Sequence, residues 1–574
     1  MSVSSAERDF LRHDNLKTAR KTWDSQFQLQ GEYINLKRTA FTVSTDQVEF
    51  INGQLFDTTA NYAMETAASA LLGYMWPDGG NTVKIEPTEA FKTNSEVVDW
   101  LNYANIVMRD MMDDPVACLD TAMPEVLEDV FSPCTGILAA WDNGKNNSDN
   151  PLLYEVIPLD QCWIWCGKGG RAIGAHWERR LSVSEIVDEY KIENVSQPIR
   201  DAFNKGRLTE KFAILICIKP REEYDANYKG AKNMPYASCH YEVETKHLLR
   251  ESGFEEFPLM VVRMRRKSGE DYGRGFGFSV LPLALELNAI WESVTTYLEK
   301  KLDPALAVMD SGVLGDGTID SSSGAINVFR VTGRAGNESP VQKLYDIGEI
   351  SGTDALIETL VKAIYQYGML DRLLDSNDDK TMTLGESQLR DIRSNRAAVS
   401  PGKRLTAELF DPLTIRTFNI LYRNNKFGYV RNSTAAKLAE ASGQKVRYIP
   451  DVIVRNEGKV QVYKITYFSP YARISAAEKA NGIRQTFADA AGMEPMYPGI
   501  SQRLDPDRAL KILNVINGGG SEIMRSDPEF KTAQKALIEA RAANTQLTQQ
   551  DMAAGAAQKG AAAAKLAREA VKAA

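Results

Sequence analysis

Residues 271–304, DYGRGFGFSVLPLALELNAIWESVTTYLEKKLDP, pass from three closely spaced glycines into a sustained helical pattern that stops at Asp303-Pro304. Leu283, Leu287, Ile290, Val294 and Leu298 recur at intervals of three and four up to Leu302. That spacing predicts one apolar face on a helix about 35 Å long, with Glu286, Glu292 and Glu299 on other faces. The next stretch, 305–344, is rich in Gly and Ser and holds short β runs (ALAVM, GAINVFRV). A second helix is expected from Ser351 to Leu374, opened by a capping Ser351 or Thr353 and carrying Leu356, Leu360, Ile364 and Leu373 on one side. Two helices of similar length therefore bracket a small β tip.

Before this pair, helices and strands alternate without a repeating βα unit, which predicts a mixed α+β region. Asp57–Trp76 is a helix that starts at an acidic cap and ends before Pro77, and 95–112 and 118–131 are two more. Strands are expected at 136–141, 152–157, 161–165, 173–179, 212–218 and 257–263. After the pair, a third helical pattern runs from Glu386 to Asn424, and Pro401 and Pro412 must kink or break it. Its charges, among them Arg390, Arg393, Arg396, Lys403, Arg404, Arg416 and Arg423 against Glu386, Asp391, Glu408 and Asp411, read as a solvated face. Strands are expected again within 452–468, and helices at 475–491 and 505–517. The last 22 residues contain twelve alanines and almost nothing large to bury.

The 574 residues, 43% hydrophobic and 25% charged, provide material for two to four structural units. The longest apolar run, Phe212–Ile218 (FAILICI), is far shorter than the roughly 18–20 residues that span a bilayer. The N-terminus scatters charges where a secretory signal has an apolar core, so synthesis in a cytoplasm is expected. Six cysteines, Cys118, Cys134, Cys162, Cys166, Cys217 and Cys239, read as reduced core residues. With a net charge of −8, whereas a protein that grips duplex nucleic acid over a broad surface is ordinarily basic, any DNA partner is expected not to be held tightly. The sequence lacks G-x-x-x-x-G-K-[ST] and H-E-x-x-H, and its four histidines are widely scattered.

Two constellations invite a chemical reading. Gly273, Gly275 and Gly277 lie between a strand and a helix, but their G-x-G-x-G spacing breaks the dinucleotide fingerprint, so a tight corner needing φ > 0 is expected. Asp375, Asn377, Asp379 and Glu386 fill positions 1, 3, 5 and 12 of a calcium loop, but Lys380 stands where the turn requires glycine. A solvated acidic loop is the simpler reading.

Several segments, in their order and spacing, resemble the portal proteins, or head-to-tail connectors, of short-tailed double-stranded DNA phages. They are LFDTTANYAMETAASALLGYMWP (55–77), YGRGFGFSVLPLALELN (272–288), GAINV (324–328), Met382-Thr383-x-x-Glu386 and AELFDPLTIRTFNIL (407–421), within about residues 10–475. The chain departs from the family pattern at Phe276, where proline is common, and at Leu384-Gly385. The resemblance implies a ring of about twelve subunits around a DNA channel at one capsid vertex, with no enzymatic activity and no cofactor. The implied fold is α+β: residues 1–279 are the first part of a mixed α/β wing, 280–302 and 351–374 the stem helices, and 303–350 the clip. Residues 375–385 are then the tunnel loop, 386–475 the kinked wing helix and closing strands, and 476–574 a helical crown or C-terminal barrel with an Ala-rich tail. Asp375, Asn377, Asp378, Asp379, Lys380 and Thr381 are the expected tunnel-loop residues, and Glu286, Glu292 and Glu299 the stem-lumen candidates. Arg390, Arg393 and Arg396 would meet phosphates or pair between subunits, and Arg330, Arg334, Asn337 and Glu338 would form the clip docking surface. The implied partners are other copies of the chain, double-stranded DNA, the terminase, a tail adaptor, and the major capsid and scaffolding proteins, with no membrane. Its place would be the virion portal vertex, after synthesis in the host cytoplasm. The rival readings are a calcium- or nucleotide-binding enzyme built on 375–386 or 273–277, and a structural adaptor without a channel.

Overall fold

The computed structural model describes residues 5–38, 41, 55–77, 82–88, 90–91, 94–224, 230–310, 320–330, 341–344, 352–368, 402–442, 446–455, 463–467, 470–516, 530, 532–539 and 559–560. The chain divides into two compact units, Met1–Ile474 and Ser475–Ala574.

The first unit is arranged on either side of a three-stranded antiparallel sheet. Its central strand β2 (Thr135–Asp142) follows helices α1 (Ser5–Tyr33) and α2 (Thr59–Met75), strand β1 (Val83–Pro87), and helices α3 (Ser95–Met112) and α4 (Leu119–Phe131). β2 pairs with β3 (Leu152–Val156) and with β9 (Leu259–Arg263), in register Leu138↔Val156 and Thr135↔Arg263. Successive residues of a strand point to opposite faces, and here each face serves a different core. Leu138, Ala140, Met260 and Val262 join a core built with α2, α3 and α4, while Ile137, Ala139, Leu259 and Val261 join a second one.

That second core lies against a five-stranded antiparallel sheet. Its strands β4 (Cys162–Cys166), β5 (Ala172–Ser182), β6 (Lys211–Pro220), β7 (Tyr236–Glu242) and β8 (Leu248–Phe254) neighbour one another in chain order. Helices α5 (Val183–Tyr190) and α6 (Gln197–Asn204) leave the sheet between β5 and β6. The run 212–218 lies within β6 and is apolar throughout because both faces are covered. Ile214, Ile216 and Ile218 enter the core with Ile186 and Ile199 of α5 and α6, while Leu215 and Cys217 meet Phe10 of α1 together with Cys239 and Tyr241.

Hydrophobic periodicity does not reveal α1, because polar contacts hold much of it on the sheet. Buried Asp9 bonds to Lys219 and Tyr241. Glu178 of β5 meets His13 at 3.3 Å and Lys17 at 2.6 Å, and the hydrogen bonds from His13 and Lys17 outweigh burial and hold its carboxyl down at about 2. Arg20 is buried, donates to the carbonyls of Leu159, Cys162 and Asp160 at 2.6–3.0 Å, and covers the Trp163 ring.

Beyond β9 come α7 (Phe276–Leu302), a small sheet of β10 (Leu306–Asp310), β11 (Ile326–Arg330) and β12 (Val341–Lys343), and α8 (Thr353–Tyr367). Residues 402–405 are helical and continue through a π turn, Thr406–Phe410, into α9 (Asp411–Arg423). Pro412 lacks an N–H and crowds the carbonyl four residues back, and the wider turn accommodates it without ending the helix. Helix α10 (Thr434–Ala441), helix α11 (Asp451–Arg455) and strand β13 (Tyr463–Tyr467) follow, and β13 pairs antiparallel with β1. The second unit contains most of α12 (Pro470–Met493), α13 (Pro506–Ile516) and a helical stretch at 532–539.

Several expectations are corrected. Residues 451–455 are helical, so the strand expected from 452 begins only at Tyr463. α8 is capped by Gly352 at φ +88° and takes no side-chain cap from Thr353. Asp57 lies one residue before the α2 cap and binds the Thr59 amide and hydroxyl at 3.0 and 2.8 Å. Gly273, Gly275 and Gly277 do not have the positive φ expected of them. Glycine is needed there for close approach: a Cβ on Gly273 would lie 2.1 Å from the Cys134 carbonyl oxygen, and one on Gly275 3.0 Å from the Met264 sulfur. All six cysteines are free thiols, and burial pushes Cys134 and Cys162 up to about 12.

Tertiary packing also buries His240, whose Nδ1 lies 2.8 Å from the Tyr190 hydroxyl and Nε2 3.1 Å from Ser238 Oγ. Burial, reinforced by Arg250 and Arg179, holds the ring down at about 3. Below about pH 6.5 the unfolded chain binds a proton that the folded ring refuses, so this histidine lowers stability as the pH falls from 6.5 towards 3. Asp129, raised by burial to about 6, acts in the opposite sense between about 6 and 4. The unfolding temperature of His240→Gln is expected to fall less steeply than that of the native chain between pH 6.5 and 5. Equal slopes would reject a neutral buried His240.

Candidate channel and docking elements

α7 is anchored at one end and bare at the other. Its buried residues, Phe276, Gly277, Val280, Leu281, Ala284, Leu287 and Asn288, all lie in its first half. The Asn288 side-chain oxygen accepts from the Phe56 amide at 2.7 Å, which joins α7 to the approach of α2. The apolar stripe does not end where burial ends. Ile290 and Val294 are half-buried, Leu298 is 49% exposed and Leu302 85%. α8 packs beside α7 through the same core, burying Leu360 and Ile364, while Leu356 and Tyr367 of its stripe stay exposed. Leu373 lies outside the described residues.

Glu286, Glu292 and Glu299 are all exposed. At about 100° per residue, Glu292 and Glu299 share a face and Glu286 lies more than 100° away from it. A single lumen-facing surface therefore includes the pair or Glu286, and not all three.

At the end of α7 the chain enters the small sheet, where β10 is central, parallel to β11 and antiparallel to β12. Asn327 holds the turn before β11, its amide accepting from the Asp320 N–H and donating to the Asp320 carbonyl, both at 2.7 Å. Ile326 and Val328 of β11 and Val341 of β12 are exposed, so the sheet presents apolar side chains at its edges. Arg330 ends β11. Arg334, Asn337 and Glu338 lie outside the described residues, as do 375–385 and Arg390, Arg393 and Arg396.

A buried ion pair seats the helix that begins the described stretch at 402. Arg263 ends β9 with a fully buried side chain, and its Nη2 lies 2.9 Å from Glu408 Oε1 in the π turn. Its remaining donors reach the Gly170 and Asp271 carbonyls at 2.8 and 3.0 Å and the Cys166 sulfur at 3.2 Å. Its backbone N–H also bonds to Glu408, and Arg404 adds a second cation to that carboxylate at 3.0 Å. Further along the helix, buried Arg416 donates to the Ala140 carbonyl at 2.7 Å and to Glu256 at 3.2 Å, and burial lowers its guanidinium to about 10. Arg423 meets Glu255 and Glu256 at 2.9 Å.

These arginines overturn the expectation of a solvated face over the described part of this helix: Glu408 and Arg416 are interior groups. The interleaved apolar residues of AELFDPLTIRTFNIL were the available signal, since Leu409, Phe410, Leu413 and Leu421 bury the same helix. Burial also explains Trp76, stacked on Phe410 with ring centroids 5.1 Å apart.

The sequence matches the family described as "Bacteriophage head to tail connecting protein" over residues 11–524. The chain belongs to this family. A portal protein of Salmonella phage epsilon15 is 20% identical over 537 residues, covering 90% of this chain and 88% of the relative. A probable portal protein of Bordetella phage BPP-1 is 20% identical over 563 residues, covering 94% and 98%. A chain in the virion of a native gene transfer agent particle aligns at 11% identity with a TM-score of 0.27, covering 68% of this chain and 90% of that chain. For a head-to-tail connector, the informative structural features are the partly exposed apolar stripes of the α7–α8 pair and the buried Arg263–Glu408 ion pair.

Glu408→Ala would leave the Arg263 guanidinium buried without its counter-charge, a loss of about 3–5 kcal/mol. A clear drop in unfolding temperature is expected, with partial recovery in Glu408→Gln. An unchanged midpoint would show that the pair does not hold the helix.

Proposed function

We propose that this head-to-tail connector forms a closed ring at one capsid vertex, a channel through which double-stranded DNA is packaged and later ejected. One observation carries the reading: the apolar stripes of α7 and α8 continue past the point where the subunit buries them. Exposed apolar faces of this extent mark association surfaces. A heterologous contact repeated round a rotation axis closes into a ring, and the family match supports DNA as the molecule that passes through it.

In this reading α7 and α8 are the stem, the β10–β11–β12 sheet is the clip, and residues 375–385 are the loop that meets DNA. The clip would dock first the packaging motor and then a tail adaptor, with Arg330, Arg334, Asn337 and Glu338 on its surface. Arg390, Arg393 and Arg396 would pair between subunits, and the capsid and scaffolding proteins would surround the wing. An acidic chain suits a channel in which DNA must slide, because few phosphates are neutralised at once.

Native mass and electron-microscope top views test the assembly. Rings of about twelve 63.8 kDa subunits with a central hole are expected, and a chain that stays monomeric at high concentration would overturn the reading. Leu298→Asp places a charge on the bare stripe and is expected to shift the mass towards the monomer. Asp378→Asn with Asp379→Asn is expected to leave ring assembly intact and to impair DNA packaging or retention. Packaged DNA of unchanged length would remove the loop from the mechanism.

A further inference from the structure

The end of β9 sends one arginine inward and the cations after it outward. Arg263 spends its donors on Glu408, Gly170, Asp271 and Cys166. The subsequent Arg265 and Lys267 are exposed, and Arg265 forms a two-hydrogen-bond bridge with Arg274, which is exposed as well. The turn at 168–171 adds exposed Lys168 and Arg171 to the same place. Contacts through Gly170 fix this proximity: its carbonyl accepts from Arg263, and its Cα, at φ +77°, lies against the Arg266 guanidinium where a side chain would otherwise stand.

Six cations thus surround two half-buried carboxylates. Glu270 is committed to Arg274 through two 2.8 Å bonds, and Asp271 accepts from the Cys166 amide at 3.1 Å. Lys168, Arg171, Arg265 and Lys267 form no salt bridge with a described carboxylate. In a chain of net charge −8 this is a local reversal of sign, held on a strand end and a tight turn.

We propose that this surface binds the phosphate backbone of duplex DNA on the wing, outside the channel. The inference rests on the DNA-channel reading for its choice of polyanion. Guanidinium groups match phosphate oxygens in paired geometry, and a cluster in which Arg274 is paired with Glu270 and Lys267 is attracted to it, while Lys168, Arg171 and Arg265 form no salt bridge with a described carboxylate, leaves an excess of cations of the kind phosphate binding requires. Such a contact would be weak and dependent on salt, as suits DNA lying against a connector rather than threading it.

The test uses preformed rings and relaxed, covalently closed circular duplex DNA, which cannot thread a closed channel. Binding at low salt is expected, and Arg265→Glu with Lys267→Glu is expected to weaken it and lower the slope of log affinity against log salt by about two. Lys205→Glu with Lys232→Glu, which changes the net charge equally outside the cluster, is expected to leave binding near native. No binding to the circle, equal loss in both double variants, or tighter retention of poly-glutamate than of DNA would overturn the proposal. Native mass of each variant separates this outcome from failure of the ring: if rings persist and binding to circles does not, only the wing site is affected.

Discussion

The guanidinium of Arg263 sits where the three-stranded sheet ends, and much of the later chain is positioned from it. A buried charge is tolerable only when its donors are met and a counter-charge is close. Glu408 provides the charge, and two other segments, the stretch from Cys166 to Gly170 and Asp271, provide the remaining acceptors. Such a pair adds little net stability over a well-packed apolar replacement, whereas removing one partner alone is costly. Any displacement of the helix at 402–423 leaves the Arg263 guanidinium in the interior without its counter-charge, while Glu408 keeps Arg404 of its own helix.

That requirement joins two cores that a single sheet would otherwise only separate. β2 and β9 alternate their side chains between the helical core of α2–α4 and the core of the five-stranded sheet. The first half of α7 enters the helical core directly after the glycine corner. Glycine is dictated at 273 by the Cys134 carbonyl, which leaves no room for a Cβ, and at 275 a Cβ would press against the Met264 side chain. The embedded half anchors α7, with α8 packed beside it, and the chain leaves the end of α7 into the small sheet.

Charge is unevenly used across the first unit. Arg20, Arg263 and Arg416 are interior groups that bind backbone carbonyls from distant segments, acting as cross-links between elements far apart in sequence. Surface cations gather after β9, while the exposed carboxylates of α7 lie on the projecting helix. The net charge of the chain conceals this division.

The amino-acid sequence by itself determined the helices and strands that carry their own periodicity. Helix 95–112, the strands at 136–141 and 212–218, and the helix–sheet–helix order of 276–367 are all set by local spacing, capping and proline. It also determined the family, because the order of several weak motifs is more specific than any one of them. Only the tertiary structure decided which charged residues are interior. A long helix such as α1, held by Asp9, His13, Lys17 and Arg20, has no apolar stripe to be read. The Arg263–Glu408 pair spans 145 positions, so neither residue carries any local sign of its partner. The corner glycines likewise look like turn residues in sequence, and the need for them comes from atoms that only folding brings near. Hydrophobic pattern is a property of neighbours along the chain, whereas burial of a charge depends on neighbours in space.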